Sequence, residues 1–328
     1  MSISAIVPVW NGRELVERLL ATLDAQTRRA DEVIVVDNGS TDGAPEMAAG
    51  RGARVIRMGR NAGFAAAVNR GIRESRGEWI AVLNSDVELA PEYLAALVAC
   101  DAWFATGKIL RAGASAALID GTFDLLCRGG CAWRVGSGRA DGPLFSPARP
   151  IFSPPWTAVL FRAEVFRRAG YLEESFESYL EDVDFGLRCA ALGLQGVYEP
   201  RAVAWHRGSV ALGRWHPETV RLIARNQVLL LARHYPRKVL FRCGWHILVG
   251  QLLWGAVALR HGRGPAWLRG KWQGLQSYSA ARRNTGPFDP EVLDRLCANE
   301  RTIREVQTAT GFDLYWRLYF LLTGGGAK

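Results

Sequence analysis

Over its first ninety or so residues the chain alternates between two hydrophobic patterns. Short apolar, largely β-branched runs at Ile3–Val9, 33–36, 55–58 and Trp79–Leu83 are too brief for helices and read as buried strands. Between them, Leu15, Val16, Leu19, Leu20 and Leu23 recur with the 3.6-residue period, and 62–75 is helical in composition. Asn11-Gly12, Asp37-Asn38-Gly39-Ser40 and Asn84-Ser85-Asp86 punctuate the strand ends, and Asn11 is placed to cap the first helix. Strand–helix alternation of this kind predicts an α/β domain whose mostly parallel sheet is covered on both faces. The alternation then breaks. Residues 101–155 read as irregular strands and loops, helices return at Ala163–Ala169 and 179–192, and only helices follow from about Arg214.

Two acids, Asp37 and Asp86, fall where strands end, and open α/β sheets bind ligands at the carboxyl ends of their strands. The usual phosphate cradles are missing. The first strand runs into Trp10-Asn11-Gly12-Arg13-Glu14 rather than G-x-G-x-x-G, and no G-x-x-x-x-G-K-[ST] occurs. A bound diphosphate would therefore rely on a metal bridge or side-chain donors, and Asp86 suits a hard cation such as Mg2+. Glu181, Asp182 and Asp184 form the densest acidic cluster, at the start of a predicted helix. The helix dipole accounts for one or two of them, whereas three in four residues repel one another and suggest a further use.

Five stretches in order carry a resemblance: Ile6-Val7-Pro8-Val9-Trp10-Asn11-Gly12, the run from Val33 to Gly43, Arg60-Asn61-Ala62-Gly63-Phe64-Ala65, Leu83-Asn84-Ser85-Asp86-Val87-Glu88-Leu89, and Tyr179-Leu180-Glu181-Asp182-Val183-Asp184-Phe185. Together they resemble the motifs of family 2 glycosyltransferases, closest to bacterial rhamnosyltransferase-like enzymes of surface-polysaccharide synthesis, over residues 1 to about 235. The resemblance implies a GT-A fold at 1–235, followed by a helical, basic, aromatic-rich region at 236–328. It implies a nucleoside diphosphate sugar donor, bound around Pro8, Asp37, Asn61, Gly63, Asn84, Asp86 and Trp156, with Trp156 either stacking on an acceptor sugar or lying in the core. It further implies a divalent cation, Mg2+ or Mn2+, on Asp86 and His206, and Asp182 as catalytic base with Glu181 beside it. Asn84 departs from the family's D-x-D and weakens the expected metal affinity, so a catalytically degenerate sugar-nucleotide-binding or scaffold protein is the alternative. Asp42 reads as turn chemistry.

Charge changes the picture of the C-terminal third. The net charge of +9 would suit nucleic acid, but residues 201–328 hold 20 Lys/Arg against 7 Asp/Glu, while residues 1–200 hold 21 against 25. No nucleic-acid motif accompanies the basic third. The stretch 239–259 is apolar apart from Arg242, Gly244, His246, Gly250, Gln251 and Gly255, with Arg237, Lys238, Arg260, Arg263, Arg269 and Lys271 around it. This pattern predicts an interfacial helix at an anionic membrane surface ahead of plain helix packing, a homodimer contact or a true span. A glycan or polyprenyl-linked acceptor would fit such a surface. The six scattered cysteines offer no zinc spacing, and the N-terminus reads as a strand. Reduced thiols and a cytoplasmic location at the inner face of the cell membrane are expected.

Overall fold

The structure is a computed structural model and describes residues 1–114, 116–208, 215–286 and 288–324. In chain order its elements are β1 (Ile3–Val9), α1 (Arg13–Asp24), β2 (Glu32–Asp37), α2 (Ala44–Gly50), β3 (Arg54–Arg57), α3 (Phe64–Glu74), β4 (Trp79–Leu83), β5 (Val87–Leu89) and α4 (Tyr93–Val98). Then come β6 (Phe104–Arg111), β7 (Ile119–Gly121), β8 (Asp124–Leu126), β9 (Ala132–Arg134), β10 (Arg149–Ile151), β11 (Ala158–Arg162), α5 (Ala163–Ala169), α6 (Glu181–Ala191) and β12 (Gly196–His206). The remainder is helical: α7 (Pro217–His234), α8 (Arg237–Arg242), α9 (Gly244–Arg260), α10 (Gly264–Arg283), α11 (Val292–Thr310) and α12 (Leu314–Leu322).

The chain divides into two compact units. One comprises Met1–Phe123 and Gly136–Val210, the other Asp124–Val135 and Ala211–Lys328. This division puts α7 with the helical unit, so the boundary falls before residue 235, and the β8–β9 hairpin joins that unit from within the first half of the sequence.

The first unit is a mixed sheet in the order β10-β12-β6-β11-β4-β1-β2-β3, with β5 added on β12 and β7 on β6. The pairs β1–β2, β1–β4, β2–β3 and β6–β12 are parallel. Only β11, between β4 and β6, runs against both its neighbours. The alternation read from the sequence holds because each crossover helix lays an apolar stripe on the sheet. Val16, Leu19, Leu20 and Leu23 of α1 are buried in one cluster with Ile3, Ala5, Val7 and Val9 of β1.

The sheet is larger than the pattern predicted. β6 lies in the stretch read as irregular because Gly107 and Lys108 interrupt its apolar run. Lys108 is nevertheless buried, its charge met by Asp141 at 2.8 Å. A Cβ on Gly107 would come within 2.1 Å of the Ala202 carbonyl, so glycine is required where β6 meets β12. β12 was masked by Glu199-Pro200-Arg201, where its register against β6 shifts; proline lacks the ladder donor and such irregularities accommodate it. The Asn11 cap is also corrected. Gly12 holds the N-cap position of α1 in the left-handed region (φ 87°), while the Asn11 side chain accepts the Thr41 amide at 2.9 Å.

In the helical unit, α10 lies along α7 at close range. A Cβ on Gly270 would sit 2.2 Å from the Arg221 carbonyl. Cys127, Cys131, Val249, Ile303, Trp316, Tyr319 and Phe320 make a second core. The apolar run 239–259 is broken at Cys243 into α8 and the 17-residue α9. Among the described residues no helix is long and apolar enough to cross a membrane, which removes the spanning alternative there. The six cysteines are free thiols.

Candidate active site

The parallel register of β1, β2 and β4 brings the loops after Val9, Asp37 and Leu83 to one edge of the sheet. β11 starts opposite the last residue of β4 (Ala158 against Leu83), so Trp156 and Thr157 reach the same edge, where the Asn84 amide donates to the Thr157 carbonyl at 2.8 Å. β12 ends there too, His206 lying opposite Val87. The strand ends thus gather most of the residues singled out in the sequence.

On the β2 side, Asp37 is buried and its Oδ1 accepts the Ser40 amide at 2.8 Å, closing an Asx turn. Asn38 does more. Its amide nitrogen donates to Asn61 Oδ1 and to the Gly63 carbonyl, both at 3.1 Å, and its oxygen accepts the Ala62 amide at 2.9 Å. One side chain thereby fixes the 60–63 loop to the end of β2. Gly63 has a φ of 88°, and a Cβ there would stand 3.0 Å from the Glu177 carbonyl, so this loop also lies against the segment leading into α6. Pro8 sits in β1 opposite Val36. Asp42 behaves as turn chemistry: it accepts the Arg13 and Ala44 amides at the starts of two helices, and these bonds outweigh burial and hold its carboxyl below the usual range.

On the β4 side, Asp86 and His206 meet directly. His206 Nε2 lies 3.1 Å from Asp86 Oδ1, and Nδ1 lies 2.8 Å from Asp120 Oδ2. Burial disfavours charge on this imidazole, yet the Asp120 and Asp86 carboxylates outweigh it and take it up to about 9. Asp120, on the short β7, carries no motif and was not found from the sequence. Its signal is purely tertiary, since β7 reaches the site only by pairing with β6. Asn84 Oδ1 is buried and has no hydrogen-bond partner. A buried acceptor without a donor carries a desolvation cost that a cation or ligand donor would relieve.

These groups fit a divalent cation in kind: a carboxylate oxygen, an unsatisfied amide oxygen and an imidazole whose far nitrogen is oriented by a second carboxylate. As folded, Asp86 and His206 bond each other, and no cluster of three or more His, Cys, Asp or Glu arranged for a metal occurs among the described residues. Of the stretch Trp205-His206-Arg207-Gly208-Ser209, Ser209 lies outside the described residues.

The third part is the start of α6. Glu181 and Asp182 are both buried, and Asp182 Oδ1 accepts the Val183 amide at 2.8 Å. The approach to them is strained: Glu177, Tyr179 and Leu180 all have φ between 61° and 70° without being glycine. Such conformations cost free energy, persist only where surrounding contacts impose them, and cluster at functional sites. The contacts here are Ala65 N–H to the Glu177 carbonyl at 3.2 Å, and Asn69, which bonds Leu172 N and O and Glu174 Oε1, each at 2.9 Å. Asp184 is fully buried and paired with Arg188 at 3.0 Å, a structural use that separates it from Asp182. Trp156 is 2% exposed among Phe161, Phe166 and Phe185, with ring centroids 4.8–6.2 Å away. The structure therefore places it in the core.

A mixed, mostly parallel sheet with a carboxylate just beyond β4, a loop pinned against β2 and buried acids at a strained helix start is the arrangement of a GT-A fold. Known proteins agree. The family described as "Glycosyl transferase family 2" matches residues 4–100. An N-acetylglucosaminyl-diphospho-decaprenol L-rhamnosyltransferase of Mycobacterium tuberculosis is 33% identical over 230 residues, covering 60% of this chain and 73% of that protein. The crystal structure of GalNAc-T7 with UDP, GalNAc and Mn2+ superposes with a TM-score of 0.65 at 12% identity, over 95% of this chain and 58% of that one. That of S. aureus TarS 1-349 in complex with UDP-GlcNAc gives 0.50 at 16%, over 93% and 92%. The chain belongs to glycosyltransferase family 2 and is a glycosyltransferase.

Proposed function

We propose that the enzyme is an inverting transferase that moves a hexose, L-rhamnose in our reading, from a nucleoside diphosphate sugar to a hydroxyl of a lipid-linked glycan. The acceptor class rests on the mycobacterial relative, named for transfer to N-acetylglucosaminyl-diphospho-decaprenol. The observations that carry the mechanism are the meeting of Asp86, His206 and Asp120 near the Asn84 oxygen at one sheet edge and the burial of the Glu181–Asp182 pair at the start of α6.

Asp37 and the loop tied down by Asn38 hold the nucleoside side of the donor. Asp86, His206 and Asn84 would hold a divalent cation, Mg2+ or Mn2+, which when bound offsets the charge developing on the leaving diphosphate. Asp120 keeps the His206 ring oriented through Nδ1. Asp182 takes the proton from the acceptor hydroxyl as its oxygen bonds the anomeric carbon. The bond to the diphosphate breaks in the same displacement, so the configuration inverts without a covalent enzyme intermediate. Asp182 is buried beside Glu181 at the start of α6, a setting shielded from bulk water in which a positioned carboxylate can act as the base.

The experiment is a panel of nucleoside diphosphate sugars, with and without Mn2+, scored for release of the nucleoside diphosphate in the presence of a polyprenyl-diphosphate-linked N-acetylglucosamine. Metal-dependent turnover of a deoxyhexose donor is expected. Turnover of none of the donors would overturn the reading.

A further inference from the structure

From the end of α8 along α9, the exposed positions besides Arg242, Gly244 and Arg260 at the helix ends are Phe241, Trp245, Leu248, Leu252, Ala256 and Leu259. They are spaced four, three, four, four and three apart, so they form one stripe, and none is polar. Phe241 is 91% exposed, Trp245 57% and Leu252 56%. The neighbouring α10 repeats the arrangement with Leu268, Trp272 and Leu275. The inward side of α9, by contrast, carries Gln251, which is bonded to the Gly129 carbonyl at 2.8 Å. α9 meets the core of its unit through Val249, Leu253 and Trp254, so the outward stripe is apolar surface beyond what that core uses. Contiguous exposed apolar surface of this kind marks a protein or membrane contact.

The charge around the stripes identifies the partner. From Thr219 to Phe288 the sequence contains no Asp or Glu, but it has ten Arg and two Lys. Arg237, Lys238, Arg242, Arg260 and Arg269, at the ends of the stripes, are all exposed. A second copy of this chain would set basic residues against basic residues. An acidic surface with an apolar interior satisfies both features at once. We infer that the helical unit docks peripherally on an anionic lipid bilayer, with the outward faces of α9 and α10 lying in the headgroup region and the flanking arginines on lipid phosphates. Trp245 and Trp272 sit at the level favoured by amphipathic aromatic rings.

The test uses the full chain without donor or acceptor, so it stands or falls separately from the proposed reaction. Protein is mixed with vesicles of phosphatidylcholine alone or with one third phosphatidylglycerol, and binding is read by flotation and by tryptophan quenching from brominated lipid. Binding to the anionic vesicles only, with quenching, weakened by raising salt from 0.05 to 0.5 M, is expected. Leu252→Glu and Leu248→Glu, both on exposed positions, should each lower partitioning about tenfold while leaving the melting temperature unchanged. Undiminished binding by the double variant would overturn the inference. So would a concentration-dependent dimer abolished by the same substitutions while vesicles fail to compete, since the face would then belong to a second copy.

Discussion

Asn38 offers a measurable consequence of how the donor loop is held. Its side chain makes three hydrogen bonds, at 2.9, 3.1 and 3.1 Å, between the end of β2 and the 61–63 backbone and Asn61. At about 1 kcal/mol each, Asn38→Ala should remove about 3 kcal/mol from the stability of the sheet-bearing unit. A unit of this size loses roughly 2–4 °C of melting temperature per kcal/mol, so a fall of about 6–12 °C is expected in a calorimetric or circular-dichroism melt. The isosteric Asn38→Asp is the sharper probe. It keeps an acceptor for the Ala62 amide but sets a carboxylate against two other acceptors, Asn61 Oδ1 and the Gly63 carbonyl. It should therefore be at least as damaging as alanine, and both variants should raise the KM for donor more than they lower kcat. An aspartate variant that melts and binds donor like the wild type would refute the claim that the amide nitrogen pins this loop.

Three further outcomes follow from individual side chains. Gly63→Ala puts a Cβ 3.0 Å from the Glu177 carbonyl at a φ of 88°, and should cost about 1–3 kcal/mol in a denaturant melt and weaken donor binding; unchanged stability would mean that the loop is not set by this contact. Asp120→Asn should weaken divalent-metal affinity, read by Mn2+ titration calorimetry, about 10–100-fold, because the His206 ring loses the carboxylate that orients it, and unaltered Mn2+ binding would remove Asp120 from the site. Burial of Lys271 in the helical unit brings its ammonium down to about 8 despite the nearby Cys131. Since the unfolded chain holds that proton more tightly, stability should rise with pH between about 8 and 10.5, by on the order of 3 kcal/mol, and be lowest below 8. Lys271→Met should flatten that part of the pH profile, and a slope identical to wild type would show that Lys271 is not the group.

Much of the site was legible because its residues sit at strand ends, where a short apolar run stops at a polar turn. Asp37 and Asp86 were placed by that rule alone and Asn84 by the resemblance, while β1 and β4 were read from their apolar runs. The resemblance singled out Asp182 over Asp184, and the pairing of Asp184 with Arg188 gives that second acid a structural use. What stayed hidden depends on contacts distant in sequence. β6 looks polar until Asp141 answers Lys108, and β12 looks broken until its irregularity at Pro200 is seen against β6. Asp120 has no local pattern at all; it becomes a site residue through His206, 86 positions away. Trp156 shows the converse, an aromatic beside the site that packing assigns to a cluster of rings. The split of 239–259 at Cys243 escaped a hydropathy reading because nothing in its composition marks the break.

The central claim is that Asp182 removes the acceptor proton. The measurement is single-turnover transfer by wild type and Asp182→Asn with saturating donor, acceptor and metal, alongside donor affinity measured separately. The variant should bind donor within about twofold of wild type, melt at the same temperature, and transfer about 10²–10⁴-fold more slowly. An asparagine variant that transfers at the wild-type rate would contradict it.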